Sequence, residues 1–190
     1  MCKLFAPLLV GSLLLAPLSA LGQAWEEIAP MPTRRAFASA AVLNGRIYVM
    51  GGIGASGQVL DVVERYDPQT NMWSGVEPLR DEVQNASATI LNGQLLLIGG
   101  SENDGNVTDD VQAYDEGEDD WESFAHLQRE REGHAAFTVG DDAYVFGGSD
   151  ENANLLDDAE VYNEASGNWD DYSSWTLTVP RASFAAVPYE

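Results

Sequence analysis

The side chains able to bind or react are unevenly placed along the chain. Of its eight arginines, Arg34, Arg35, Arg80, Arg129, Arg131 and Arg181 stand just ahead of runs of small residues, and Arg46 and Arg65 lie apart from them. Guanidinium forks pair bidentately with carboxylates. Arg35, Arg80, Arg131 and Arg181 converging from successive connections would therefore make a site for a carboxylate-bearing or otherwise anionic ligand; the competing reading has them bracing neighbouring loops against acidic residues. A second candidate is the acidic run 101–110, where Glu102, Asp104, Asp109 and Asp110 offer the hard oxygen ligands that suit Ca²⁺. Its spacing departs from the calcium-loop pattern, which needs an aspartate where Gly100 stands, so a solvated acidic rim is the main expectation and no cofactor is expected. His126 and His134 are the only histidines and Cys2 the only cysteine, so the sequence displays no transition-metal constellation. The Gly-Gly pairs end strands instead of opening helices, which excludes a phosphate-cradling loop.

These side chains hang on a repeat. Trp25, Trp73, Trp121 and Trp169 are spaced 48 residues apart, and the same interval relates Tyr66, Tyr114 and Tyr162, the pairs beginning at Gly51, Gly99 and Gly147, and Asp61, Asp109 and Asp157. A fixed period in this range means supersecondary units that bury their apolar surface against one another. In the first unit a small-residue strand ends at Leu43, Asn44-Gly45 favours a tight hairpin, and Arg46 to Met50 forms a second strand ending at Gly51-Gly52. A loop leads to a third strand through Tyr66, and the turn Asp67 to Asn71 leads to a fourth from Trp73. The expected units are 35–82, 83–130 and 131–178, each of four strands A to D, with a stray D strand at 25–30 and a stray A strand at 182–188. Four-stranded sheets radiating from an axis are propeller blades.

Small-residue strand, Asn-Gly turn, Ile47-Tyr48-Val49-Met50-Gly51-Gly52, Val63-Glu64-Arg65-Tyr66-Asp67-Pro68 and Asn71-Met72-Trp73 together resemble the kelch repeat, from Trp25 to the C-terminus. The resemblance implies an all-β, kelch-type β-propeller, here incomplete: three blades plus two stray strands. It implies that strand A is innermost, that the repeated tyrosines and tryptophans are core, and that the D–A and B–C loops share the usual binding face. Kelch domains commonly close by sharing one blade between the termini, and a D strand with an A strand cannot do so without B and C. The expectation is a truncated or split member; the alternative is one that assembles with other subunits or swaps its terminal strands.

Lys3, an apolar run to Leu18 and small residues ending at Ala24 read as a signal peptide over 1–24, too short and proline-interrupted for a membrane span. A formal net charge of −22 repels nucleic acid and anionic membranes. The expected function is a secreted or periplasmic binding module that recognises a protein or an anionic polymer through the loop face. The alternatives are a fragment of a carbohydrate enzyme resembling the kelch-type sialic acid mutarotases, which needs an acid–base pair in a central pocket, and a non-functional truncated chain.

Overall fold

At both Asn-Gly pairs the backbone reverses through left-handed residues, Asn44 (φ 49°) with Gly45 (φ 76°) and Asn92 (φ 49°) with Gly93 (φ 81°), as two-residue hairpins require. They join Ser39–Leu43 (β2) to Arg46–Met50 (β3), and Ser87–Leu91 (β7) to Gln94–Ser101 (β8). In this computed structural model, which describes residues 26–187, the other strands are Arg35–Ala36 (β1), Ile53–Gly54 (β4), Val63–Asp67 (β5), Met72–Val76 (β6), Val107–Asp115 (β9), Asp120–Ser123 (β10), Ala135–Val139 (β11), Asp142–Phe146 (β12), Ala159–Asn163 (β13) and Asn168–Asp171 (β14). They form three antiparallel four-stranded sheets ordered β2-β3-β5-β6, β7-β8-β9-β10 and β11-β12-β13-β14, with β1 and β4 as a separate short pair. Three blades of an incomplete propeller result, as the repeat demands.

Each C strand carries its tyrosine directly opposite the tryptophan of its D strand: Tyr66 and Trp73, Tyr114 and Trp121, Tyr162 and Trp169. Ring centroids in these pairs are 5.1, 5.1 and 5.7 Å apart. One apolar cluster joins Tyr48, Met50 and Val63 of the first blade to Leu95, Leu97 and Trp121 of the second, and another joins Leu96, Ile98 and Val111 to Val145 and Trp169 of the third. The aromatic residues thus sit between blades, where their area stabilises the junctions most.

Backbone hydrogen bonds lock the same junctions. Gly52 N donates to Val83 O (2.8 Å), Gly100 N to Arg131 O (2.9 Å) and Gly148 N to Arg181 O (2.9 Å). This approach needs glycine: a Cβ on Gly100, whose φ is 108°, would lie 2.5 Å from Gln84 O. The first two bonds span 31 residues and the third spans 33, so the final D–A connection carries a two-residue insertion that the periodic landmarks do not register. Its consequence is Trp175, the one tryptophan off the period, which stacks on Tyr144 (5.4 Å) and Phe146 (5.8 Å) of the third blade.

Three expectations about elements are corrected or fall outside the described residues. Residues 26–30 and 182–187 form no strand, because a D strand needs a C strand beside it and an A strand needs a B strand, and neither neighbour is among the described residues. Residue 29 instead serves the first blade, its carbonyl accepting from Trp73 Nε1 at 2.8 Å as Glu77 O accepts from Trp121 Nε1 at 3.1 Å. In the second blade the run 101–110 is not all loop, since β8 and β9 extend into it and leave a short tip. The expected signal peptide, Trp25 and Pro188 lie outside the described residues; no helix of those described is long and apolar enough to cross a membrane.

Candidate functional site

The six arginines divide into two buried braces and four exposed side chains. Arg35 donates through Nη1 to Gly51 O (2.9 Å) and Val62 O (2.6 Å), and its Nη2 meets Glu64 Oε2 at 2.7 Å. One blade pair later the arrangement recurs: Arg131 Nη1 donates to Gly147 O (2.9 Å), and its Nη2 meets Glu160 Oε1 at 2.7 Å and Asp158 Oδ2 at 3.2 Å. Both side chains of the Arg131–Glu160 pair are 0% exposed. Arg35 and Arg131 are therefore not ligand-facing, which corrects the expectation that they converge with Arg80 and Arg181 on an anion. Burial pulls the carboxyl of Glu160 above the usual range, and the Arg131 charge opposes that shift.

The middle blade lacks this brace altogether. Val83 occupies the arginine position and Gln112 the glutamate position, and Gln112 Oε1 accepts from Arg80 N at 2.8 Å. Both partners of the ion pair are changed together, so no uncompensated charge is left inside. This double exchange is legible in the sequence as a 96-residue pairing of Arg35 and Glu64 with Arg131 and Glu160, and following the arginines alone misses it.

Arg34, Arg80, Arg129 and Arg181 are exposed and spread over the loop end. Arg129 Nη1 reaches Asp158 Oδ2 at 3.4 Å, and Arg181 donates through Nε to Val179 O at 3.1 Å. The insertion makes Arg181 the structural counterpart of Arg35 and Arg131: its carbonyl receives Gly148 N as Arg131 O receives Gly100 N.

The acidic residues expected to suit calcium do not gather as a set. Asp104 turns to its own loop, accepting from Asn106 N (3.0 Å) and Asn106 Nδ2 (2.6 Å). Asp109 and Asp110 instead meet His126, whose Nδ1 is 3.4 Å from Asp109 Oδ1 and 2.7 Å from Asp110 Oδ1. The three ligating atoms lie within 4.8 Å of one another, a constellation that sequence reasoning misses because sixteen residues separate the histidine from its nearer aspartate.

At the axis, a groove of about 380 Å³ is lined by small A-strand residues together with Phe37, His134 and Phe184. His134 is its one ionisable lining residue. The ring is sealed, with both nitrogens buried and unpartnered, and desolvation, helped by the Arg131 charge, depresses its pKa to about 3. A neutral, enclosed imidazole cannot share proton transfer with a second group here, so among the described residues the groove holds no acid–base pair.

The kelch motif matches residues 34–80, 84–128 and 130–174. Human Kelch-like protein 23 is 50% identical over 48 residues, covering 25% of this chain and 9% of that protein. The zebrafish (Danio rerio) Kelch repeat and BTB domain-containing protein 12 is 45% identical over 51 residues, 23% of this chain and 8% of its own. The chain thus spans less than a tenth of the length of these curated relatives. The solved structure of YjhT superposes with a TM-score of 0.74 at 18% identity, over 84% of this chain and 57% of that one.

Proposed function

This chain belongs to the kelch-motif family, and we propose that it is an exported protein-interaction module that engages its partner through the D–A and B–C loops. The observation that carries the reading is the asymmetry between the two ends of the blades. At one end A and B strands reverse within two residues, at Asn44-Gly45, Asn92-Gly93 and Gly140-Asp141, and the repeat leaves little room to vary. At the other end the B–C connections 51–62, 102–106 and 147–158 differ in sequence and in extent of pairing, and each projects exposed side chains such as Gln58, Asn103 and Leu155. Variation confined to one end of a rigid scaffold supports recognition at that end. The carbohydrate-enzyme alternative needs an acid–base pair in the axial groove, and no observation favours that alternative.

The matching experiment replaces the loop tips 102–106 and 150–154 with Gly-Ser segments and, in a second chain, the turns 92–93 and 140–141 with other hairpin turns. Both should melt near wild type. Only the loop-tip chain should lose the partner that wild type retains on affinity purification from the producing cells. Equal retention by both, or loss only with the hairpin variant, would overturn the reading, and recovery of the uncleaved chain from the cytosol would overturn the export.

A further inference from the structure

The second blade carries negative charge that its neighbour neutralises and it does not. In the third blade Asp158 is held by two guanidinium groups, Arg129 at 3.4 Å and Arg131 at 3.2 Å. One repeat earlier the aspartate is Asp110, and the two arginine positions hold Asp81 and Val83. Asp110 therefore loses both cationic partners and gains a carboxylate. Asp109 stands beside it, and the field is strong enough that burial together with Asp104, Asp81, Asp110 and Glu82 raises the proton affinity of Glu102.

What faces this charge is an imidazole found in no other repeat. Counting back from Leu79, Leu127 and Leu177, which all donate through N to the carbonyls of Asp61, Asp109 and Asp157, the position of His126 is Pro78 in the first blade and Thr176 in the third. Asp110 is likewise Val62 in the first blade. The histidine thus occurs in the one blade whose aspartate has lost its arginines. Asp109 and Asp110 lie on β9, and the Leu127 N to Asp109 O bond of 2.9 Å ties the segment bearing His126 to that strand, so the three ligating groups rest on hydrogen-bonded backbone. Beside them a cleft of about 170 Å³, lined also by Gln112, Ser123 and Arg80, has room for water.

We propose that Asp109 Oδ1, Asp110 Oδ1 and His126 Nδ1 form a binding site for a divalent transition-metal ion of the zinc class, with water completing its coordination. Two carboxylates and one imidazole are a three-ligand set of the kind that binds zinc with an open position. Calcium is disfavoured, since it seeks six to eight oxygen ligands and Asp104 is committed to Asn106. Protons compete with a metal ion for imidazole and carboxylate ligands, so affinity falls on acidification.

The test is calorimetric titration of the chelator-treated full chain with ZnCl₂, with CaCl₂ as the control ion, for wild type, His126→Ala and Asp110→Asn. All three side chains are partly exposed, so the variants should melt like wild type. One zinc per chain, binding more than tenfold weaker in each variant, and no competition by excess calcium are expected. Zinc binding that survives His126→Ala unchanged would mean diffuse attraction to an acidic surface, and no saturable binding by wild type would mean no site; either result overturns the proposal. Because none of these variants alters the loop tips, failure here leaves the partner-binding reading intact, and the reverse holds as well.

Discussion

Arg131 and Glu160 show how much a single residue pair can be asked to hold. Both are sealed between the second and third blades, and the pair is stable only because each charge finds the other together with backbone partners such as Gly147 O and Gln128 N. Removing one partner strands the other: Arg131→Met should cost about 3 to 5 kcal/mol in urea denaturation. The double variant Arg131→Val with Glu160→Gln copies the pairing that the middle blade already uses at Val83 and Gln112, and it should recover most of that loss. A double variant no more stable than the single would mean that the brace serves something other than charge compensation. His134 makes a second prediction at this scale. Its pKa is about 3 in the folded chain against the ordinary 6.5 of a solvated imidazole in the unfolded one, so only the unfolded state takes up a proton as pH falls below 6.5. The stability it contributes is complete above that value and is lost downward at about 1.4 kcal/mol per pH unit until the folded pKa is reached. Alanine occupies the equivalent positions 38 and 86, so His134→Ala should fold and should lose about 1 kcal/mol less than wild type between pH 6.5 and 5.5. Parallel pH curves for the two proteins would rule out the burial.

At the scale of the element, the regular features were legible and the departures were not. The 48-residue spacing of tyrosine and tryptophan was enough to place each C–D strand pair in register, and Asn44-Gly45 and Asn92-Gly93 were enough to place two A–B hairpins, because the local chemistry there permits few alternatives. The stray D and A strands failed for the opposite reason: a sequence pattern names a strand, but only a neighbour's backbone can pair it. The acidic stretch looks like loop from its composition, yet Val107 and Thr108 pair across to β8, and the strand continues through Asp109 and Asp110. The two-residue insertion left one trace, Trp175 off the period, which covers Tyr144 and Phe146 on the last blade. Junction packing makes the periodic tryptophans costly to remove. Trp121→Ala empties a site that is 3% exposed and shared by two blades, and should cost about 3 to 5 kcal/mol. A melting temperature within a few degrees of wild type would contradict the shared core.

Across the whole molecule, the blades supply rigidity and the loop end supplies variety. The arginines illustrate the limit of one-dimensional inference: six cations on one set of connections look like a converging site, and the fold turns Arg35 and Arg131 inward while leaving Arg34, Arg80, Arg129 and Arg181 dispersed. The direction of a side chain follows from backbone geometry that the order of residues does not contain. What survives is the division between a repeated, hydrogen-bonded interior and an end where connections differ from blade to blade. The most direct measurement of the functional claim is site-specific photo-crosslinking in the cells that produce the protein, with the reactive side chain placed in turn at Asn103, Asn152, Asn92 and Gly140. The account predicts a discrete, saturable adduct from Asn103 and Asn152 and none from the hairpin turns; equal adducts from both ends, or adducts from Asn92 and Gly140 alone, would contradict it.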